Sequence, residues 1–159
     1  MTQFTILIPL LVKAGVQFIL VGGAAAIAHG SSRLTNDLDI VYDRNRENLQ
    51  RIVNTLKPYQ PYLRGAPEGL PFRWDAETLA AGLNFTLITS LGNLDLLGEI
   101  TGGGTYEDLL RHTLKIELFN VTCHCLNLEK LIEVKRAAGR PKDLEVIAEL
   151  ELIQREREK

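Results

Sequence analysis

The chain has 159 residues, 45% apolar and 24% charged, with 18 Lys and Arg against 20 Asp and Glu and a formal net charge of −2. A chain of this length forms one domain that buries roughly 70% of its unfolded surface without disulfides or a structural metal. The balance excludes a disordered chain and a global basic field for nucleic acid. No basic leader precedes an apolar segment, and Lys13, His29 and glycines break the longest apolar stretches. The expectation is therefore a cytoplasmic domain with no signal peptide and no membrane partner.

In chain order, Ile6, Leu7, Leu10 and Leu11 recur at helical spacing up to about Ala14, with Gly15 as a stop. Pro9 requires that helix to begin near Thr5, with Pro9 in its first turn, or to kink. Residues 17–21 read as a strand, followed by Gly22-Gly23 and an Ala-rich helix to about Ala28. His29 is placed to meet a nucleotide or simply to end that helix. After the polar loop 31–36, residues 37–41 form a second strand carrying Asp37 and Asp39.

Side chains alternate across a strand, so Asp37 and Asp39 share one face, about 6.6 Å apart, while Leu38 and Ile40 take the other. Two carboxylates this close repel and raise each other's pKa, and a bound cation offsets the repulsion. Oxygen-only ligands at this spacing suit Mg²⁺ or Mn²⁺, completed by waters and substrate phosphates. Gly22 and Gly23 supply the complementary half: without Cβ atoms the backbone can approach a phosphate, and a helix N-terminus favours an anion. Arg33, in the intervening loop, is a candidate either to neutralise a triphosphate or to pair with Asp37 or Asp39.

A Gly pair closing the first strand, then a helix, then Asp-x-Asp in the next strand, with thirteen residues between Gly23 and Asp37, resembles the signature of the polymerase-beta-like nucleotidyltransferase superfamily. The fuller wording, Gly-Gly-x-Ala followed by His29-Gly30, Arg33, Thr35 and Asp37-Leu-Asp39, is similar to its small prokaryotic branch of AbiEii-type toxins and minimal nucleotidyltransferases. The resemblance implies catalytic and metal-holding roles for Asp37 and Asp39. It implies nucleotide-binding roles for Gly22, Gly23, Arg33 and Thr35, with Mg²⁺ or Mn²⁺ as cofactor and an NTP, ATP for instance, as substrate.

Further along, Leu49, Ile52, Val53 and Leu56 repeat at i, i+3, i+4 and i+7, which predicts a helix with one buried face. Residues 57–75 form the longest irregular stretch, with Pro58, Pro61, Pro67 and Pro71 among Tyr59, Tyr62, Phe72 and Trp74 and with Arg64 and Arg73 interleaved. Such aromatics either stack on a base or on single-stranded RNA, or pin the loop to the core. A short helix from Asp75 or Thr78 to near Gly82 precedes a hairpin, 85–89 and 94–97. Asp95 in its second strand shares a face with Asn93 and Leu97, and it matches the third carboxylate that completes the metal site in the family. Gly102-Gly103-Gly104 reads as a flexible connection before a short helical piece, 106–111.

Residues 114–119 and 121–126 read as two more strands, turning at Asn120. Cys123-His124-Cys125 invites a zinc reading, but alternation splits the Cys pair from His124 and no second ligand pair exists, so these are buried thiols of a reducing compartment. Asn127 caps a helix to Ala137, Gly139 ends it, and Pro141 opens a last helix with Asp143 in its first turn. The text from Leu131 to Asp143 resembles the C-terminal part of the same small nucleotidyltransferases, implying that Lys135 approaches nucleotide phosphates and that Lys142-Asp143 locks the last helix to the sheet. The charges of the last thirty residues read as a solvated helix surface.

The expected architecture is one α/β (α+β) domain over 1–159: a small mixed β-sheet with helices packed on it in 15–126, followed by a C-terminal helical pair in 127–157. The expected activity is metal-dependent transfer of a nucleoside monophosphate from an NTP to an acceptor hydroxyl on RNA, protein or a small molecule. Asp37, Asp39 and Asp95 would hold the metal, and a toxin-antitoxin setting would add an antitoxin as protein partner. The competing expectation is a non-catalytic nucleotide- or partner-binding protein that keeps the fold.

Overall fold

The computed structural model describes every residue from Met1 to Lys159. Helix α1 (Phe4–Lys13) buries Leu7, Ile8 and Leu11 and stops at Gly15, whose φ is +79°. Pro9 lies well inside α1, not in its first turn. A proline there forfeits one i→i−4 hydrogen bond, and burial of the apolar stripe around it holds the helix together.

Strand β1 (Phe18–Val21) runs directly into α2 (Gly22–Ala28), and β2 (Asp37–Tyr42) returns antiparallel to β1. Leu38, Ile40 and Tyr42 are fully buried, whereas Asp37 and Asp39 emerge on the opposite face. That is the period-two pattern of a strand with one apolar side. Helix α3 (Arg46–Leu56) is capped by the Asn45 side chain and continues into a 3₁₀ turn, Lys57–Tyr59. A two-residue edge strand, β3 (Tyr62–Leu63), and α4 (Ala76–Ala81), capped by Asp75, follow.

Strands β4 (Asn84–Thr89) and β5 (Gly92–Leu97) form the expected hairpin. The glycine run that read as a flexible connection is instead the turn of a separate two-stranded ribbon, β6 (Glu99–Ile100) with β7 (Gly104–Thr105). A Cβ on Gly102 would lie 2.4 Å from that of Ala137, so the turn is seated against a helix. Helix α5 (Tyr106–Leu110) starts with a Thr105–Asp108 capping box. The hairpin β8 (Thr113–Leu118) and β9 (Val121–Leu126) turns at Phe119 and Asn120, both with positive φ. Asn127 caps α6 (Leu128–Ala138), left-handed Gly139 ends it, and Pro141 opens α7 (Pro141–Arg157).

The main sheet is seven-stranded and mixed, in the order β3-β4-β5-β2-β1-β9-β8. Its centre is the parallel pair β2 and β5, with β1 antiparallel to β2 and parallel to β9. No helix is long and apolar enough to cross a membrane.

Candidate functional site

The parallel register of β2 and β5 sets Asp39 opposite Asp95 and Asp37 opposite Asn93. Residues directly opposite one another lie on the same face of a sheet, so three acids from two distant stretches of sequence meet there. Asn93 Nδ2 donates to Asp37 Oδ1 at 3.0 Å. Arg64, one residue past β3, donates from Nη2 to Asp95 Oδ1 at 2.6 Å and from Nη1 to the Leu87 carbonyl at 3.1 Å. The same Nη1 lies 3.8 Å from Asp37 Oδ1.

Asp39 is the exception. Its Oδ1 is buried and has no hydrogen-bond partner. Burial, then the charge and hydrogen bond of Asp95, then the charge of Asp37 push the Asp39 carboxyl up to about 7, against the opposing pull of the Lys135 ammonium. A buried oxygen without a partner is costly and calls for a donor or a cation.

The two glycines make this crowding possible. Gly22 has φ of +64°, and a Cβ there would lie 2.3 Å from Asp39 Oδ2. A Cβ on Gly23 would lie 2.8 Å from Thr35 Cβ and Oγ1. Their missing side chains thus admit the Asp39 carboxylate and Thr35 beside the start of α2. Thr35 Oγ1 in turn donates to the Asp37 carbonyl at 3.3 Å.

Lys135, from α6, is buried beside these groups. Burial lowers its amine pKa, and the charges of Asp143 and Asp39 oppose that shift. Asp143 is also buried and accepts from Arg140 Nε at 2.7 Å and from Arg140 Nη2 at 3.2 Å. Burial alone would raise its pKa, but the Arg140 hydrogen bonds and charge, with Lys135 behind them, hold it below the usual carboxylate range. The Arg140–Asp143 pair closes the first turn of α7 on itself, and Arg136 Nη2 of α6 pairs with Glu151 of α7 at 3.3 Å.

Two clefts open on either side of this group, and both are lined by Gly22, Asp39, Lys135, Arg140 and Asp143. The larger, of about 530 Å³, continues over Gly23, Arg33, Thr35, Asp37 and Lys142. The smaller, of about 400 Å³, continues over Val21, Asn84, Leu97, Glu99 and the apolar side of α6 at Leu131 and Val134.

Of the residues singled out in the sequence, the structure brings Gly22, Gly23, Thr35, Asp37, Asp39, Asp95 and Lys135 together. Arg33 lines the larger cleft but does not pair with Asp37 or Asp39; its Nη1 donates to Glu145 of α7 at 3.2 Å. Neighbouring Ser31 and Ser32 both donate to Glu149 of the same helix. His29 does not face the cleft: it is buried, with Nε2 2.7 Å from the Leu126 carbonyl and Nδ1 3.1 Å from Arg157 Nη1. The aromatics of 57–75 stack on one another, Tyr62 edge-on to Phe72 and Phe72 tilted against Trp74, whose Nε1 donates to the Val53 carbonyl.

Arg64 is the site residue that sequence reasoning missed as a partner of the acids. Its signal was faint, an Arg following the apolar pair Tyr62-Leu63 in a proline-rich segment. The acids do not converge into a ready-made cage of three or more His, Cys, Asp or Glu ligands. A cation such as Mg²⁺ is usually held by one or two carboxylates, with waters and substrate phosphates filling the rest, so this partial donor set fits it. The orphaned Asp39 Oδ1 is the atom that fits best.

The fold is nucleotidyltransferase-like. One solved structure with this likeness is the lincomycin-bound crystal structure of the lincosamide antibiotic adenylyltransferase LnuA, with a TM-score of 0.61 and 17% identity, covering 92% of this chain and 93% of that one. No protein-family profile matches the chain, and no curated protein does either.

Proposed function

We propose that the chain is a nucleotidyltransferase that moves a nucleoside monophosphate from an NTP to the hydroxyl of a small-molecule acceptor. The observation that carries this reading is the buried, unpartnered Asp39 Oδ1 between Asp37 and Asp95, at the rim of a cleft whose floor is Gly22 and Gly23. Asp37 and Asp39, with Asp95, would hold Mg²⁺ or Mn²⁺, which when bound polarises the phosphoryl oxygens and stabilises the attacking and leaving oxygens of an in-line displacement.

The chain's own residues divide the remaining work. Gly22, Gly23 and Thr35 line the larger cleft and leave room for a triphosphate, with Arg33, Lys135 and Lys142 as its cations. Asp95 has one oxygen engaged by Arg64, and its Oδ2 is the atom assigned to take the acceptor's proton. The smaller cleft is assigned to the acceptor: about 400 Å³ with apolar walls at Leu97, Leu131 and Val134 suits a small molecule better than an RNA strand or a protein. The neighbour's lincosamide substrate supports the same class.

The Gly-Gly-x-Ala wording supports the AbiEii-type branch, and with it a toxin-antitoxin setting and an antitoxin partner, as a narrower form of the proposal. One observation favours a second reading, a binding protein without turnover: Arg64 already neutralises Asp95 and Asp37.

The test is transfer of α-labelled NTPs, with Mg²⁺ or Mn²⁺, to a panel of hydroxylated small molecules that includes lincosamides and to total RNA and protein. Wild type is compared with the Asp37→Asn/Asp39→Asn double variant. Label on a small molecule with wild type alone is the expected result. Metal-dependent NTP binding without label on any acceptor would overturn the transferase and leave the binding protein.

A further inference from the structure

Arg64 belongs to none of the motifs that define the site, yet it is the residue in closest contact with the acids. Its backbone N–H donates to the Thr86 carbonyl at 2.9 Å, which continues the β3–β4 pairing by one residue and fixes its Cα on the sheet. Thr86 is the register partner of Asp95. The Arg64 side chain therefore reaches across β4 to β5 and delivers its guanidinium to Asp95 Oδ1 and toward Asp37 Oδ1. An arginine keeps its charge at any accessible pH, so it cannot leave by deprotonation.

The distribution of partners is uneven. Asp95 and Asp37 each have Arg64 or Asn93 on one oxygen, whereas Asp39, between them on the same face, has nothing on Oδ1. A divalent cation on Asp39 and either neighbour would meet the positive guanidinium within a few ångströms. Two cations that close, in a partly buried site, repel strongly.

We propose that Arg64 is an exchangeable counter-ion of the acidic site, holding Asp95 and Asp37 in the metal-free chain and giving up Asp95 when a divalent cation enters. The proposal rests on the reading of the three acids as a dication site. It makes Arg64 a positioning residue with opposite effects in the two states: removing its charge weakens the metal-free fold and strengthens metal binding. A purely structural Arg64, one that shapes the carboxylates as ligands, would instead weaken metal binding when removed.

The experiment is Mn²⁺ titration without nucleotide, read by the paramagnetic resonance of free Mn²⁺, on wild type, Arg64→Gln, Arg64→Met, Arg64→Lys and the Asp37→Asn/Asp39→Asn control. Arg64→Gln drops the charge but keeps a polar amide two bonds short of the guanidinium nitrogens, and circular dichroism of both neutral variants guards against misfolding. The expected result is binding about tenfold tighter in the two neutral variants than in wild type or Arg64→Lys, from loss of one nearby like charge. In wild type, the Arg64 Nε–Hε resonance shifts and begins to exchange with water as Mg²⁺ is added.

Equal or weaker Mn²⁺ binding by the neutral variants, or an Arg64 resonance that does not respond to Mg²⁺, overturns the exchange. If folded wild type and folded neutral variants all bind no Mn²⁺, the dication site fails and the exchange fails with it. Failure of the exchange alone leaves wild-type Mn²⁺ binding intact, so the two failures are distinguishable.

Discussion

Asp39 and Asp95 face one another across the central parallel strand pair, and the first of them is half-buried, with its Oδ1 shut off where an ionised carboxylate is poorly tolerated. Folding raises the Asp39 carboxyl from 3.8 to about 7. Between those values the folded chain binds more protons than the unfolded one, so this group's contribution to stability falls as pH rises through that window.

Asp39→Asn removes that dependence. Without metal, its melting temperature exceeds that of wild type above about pH 7, and the gap closes toward about pH 3, below both values, where the wild-type carboxyl is protonated in both states. Thermal unfolding in a chelating buffer across that range checks it. A gap of constant size at every pH would refute the burial of charge at Asp39.

Gly22→Ala brings a Cβ to within 2.3 Å of Asp39 Oδ2 at a backbone φ of +64°. Gly69 has a similar φ of +87° but nothing within 4 Å of an added Cβ. Gly69→Ala therefore reports backbone strain alone, about 1 kcal/mol. Gly22→Ala adds the displaced carboxylate, and urea titration should show about 1–3 kcal/mol more destabilisation together with lost Mn²⁺ binding. Equal costs for the two substitutions would mean that Asp39 moves aside freely.

Trp74 is the single tryptophan, and it is tied to the Val53 carbonyl and tilted against Phe72. Its emission should stay unchanged on adding single-stranded RNA, and Trp74→Phe should cost about 1 kcal/mol of stability through the lost hydrogen bond, the Val53 carbonyl keeping that of the Lys57 N–H. Quenching by RNA at micromolar concentration would reinstate base stacking by this segment.

Cys123 and Cys125 are both free and buried, and burial pushes the Cys125 thiol up to about 12 and that of Cys123 upward. Thiolates are the reactive form, so the folded chain should resist a thiol reagent at about pH 8 and release two equivalents only on unfolding. Rapid reaction of the folded chain would place β9 at an opening edge of the sheet.

What was legible in the sequence follows the range of the interactions. Alternation along one strand is local, and it set Asp37 and Asp39 on one face and Asp95 with Asn93 on another stretch of the same face. The helix cap at Asn127 is local too and acts as read, and of the two starts expected for α4, Asp75 or Thr78, the structure takes Asp75. Of the two roles open to Arg33, pairing with Asp37 or Asp39 is not seen, because its partner, Glu145, lies 112 residues downstream on a helix that folds over the loop. Arg64 escaped notice because a two-residue edge strand has no periodicity to detect, and its aim at Asp95 depends on pairing with β4. The glycine run after β6 looked mobile because nothing local announces the Ala137 methyl that seats it.

The site exists only where β2 and β5 are already side by side, and their paired residues Asp37 and Asn93 are 56 positions apart in the chain. Contacts of such separation are slow to form because the intervening loop must first be closed. A fragment ending before β5 carries Asp37 and Asp39 but lacks Asp95 and Asn93, so the full cluster forms only with the completed sheet. A divalent ion held across both strands, as proposed, would be a ligand of the finished fold and would raise the unfolding free energy by an amount that grows with its concentration relative to its Kd. The same ion that serves the chemistry would then act as the last clasp of folding.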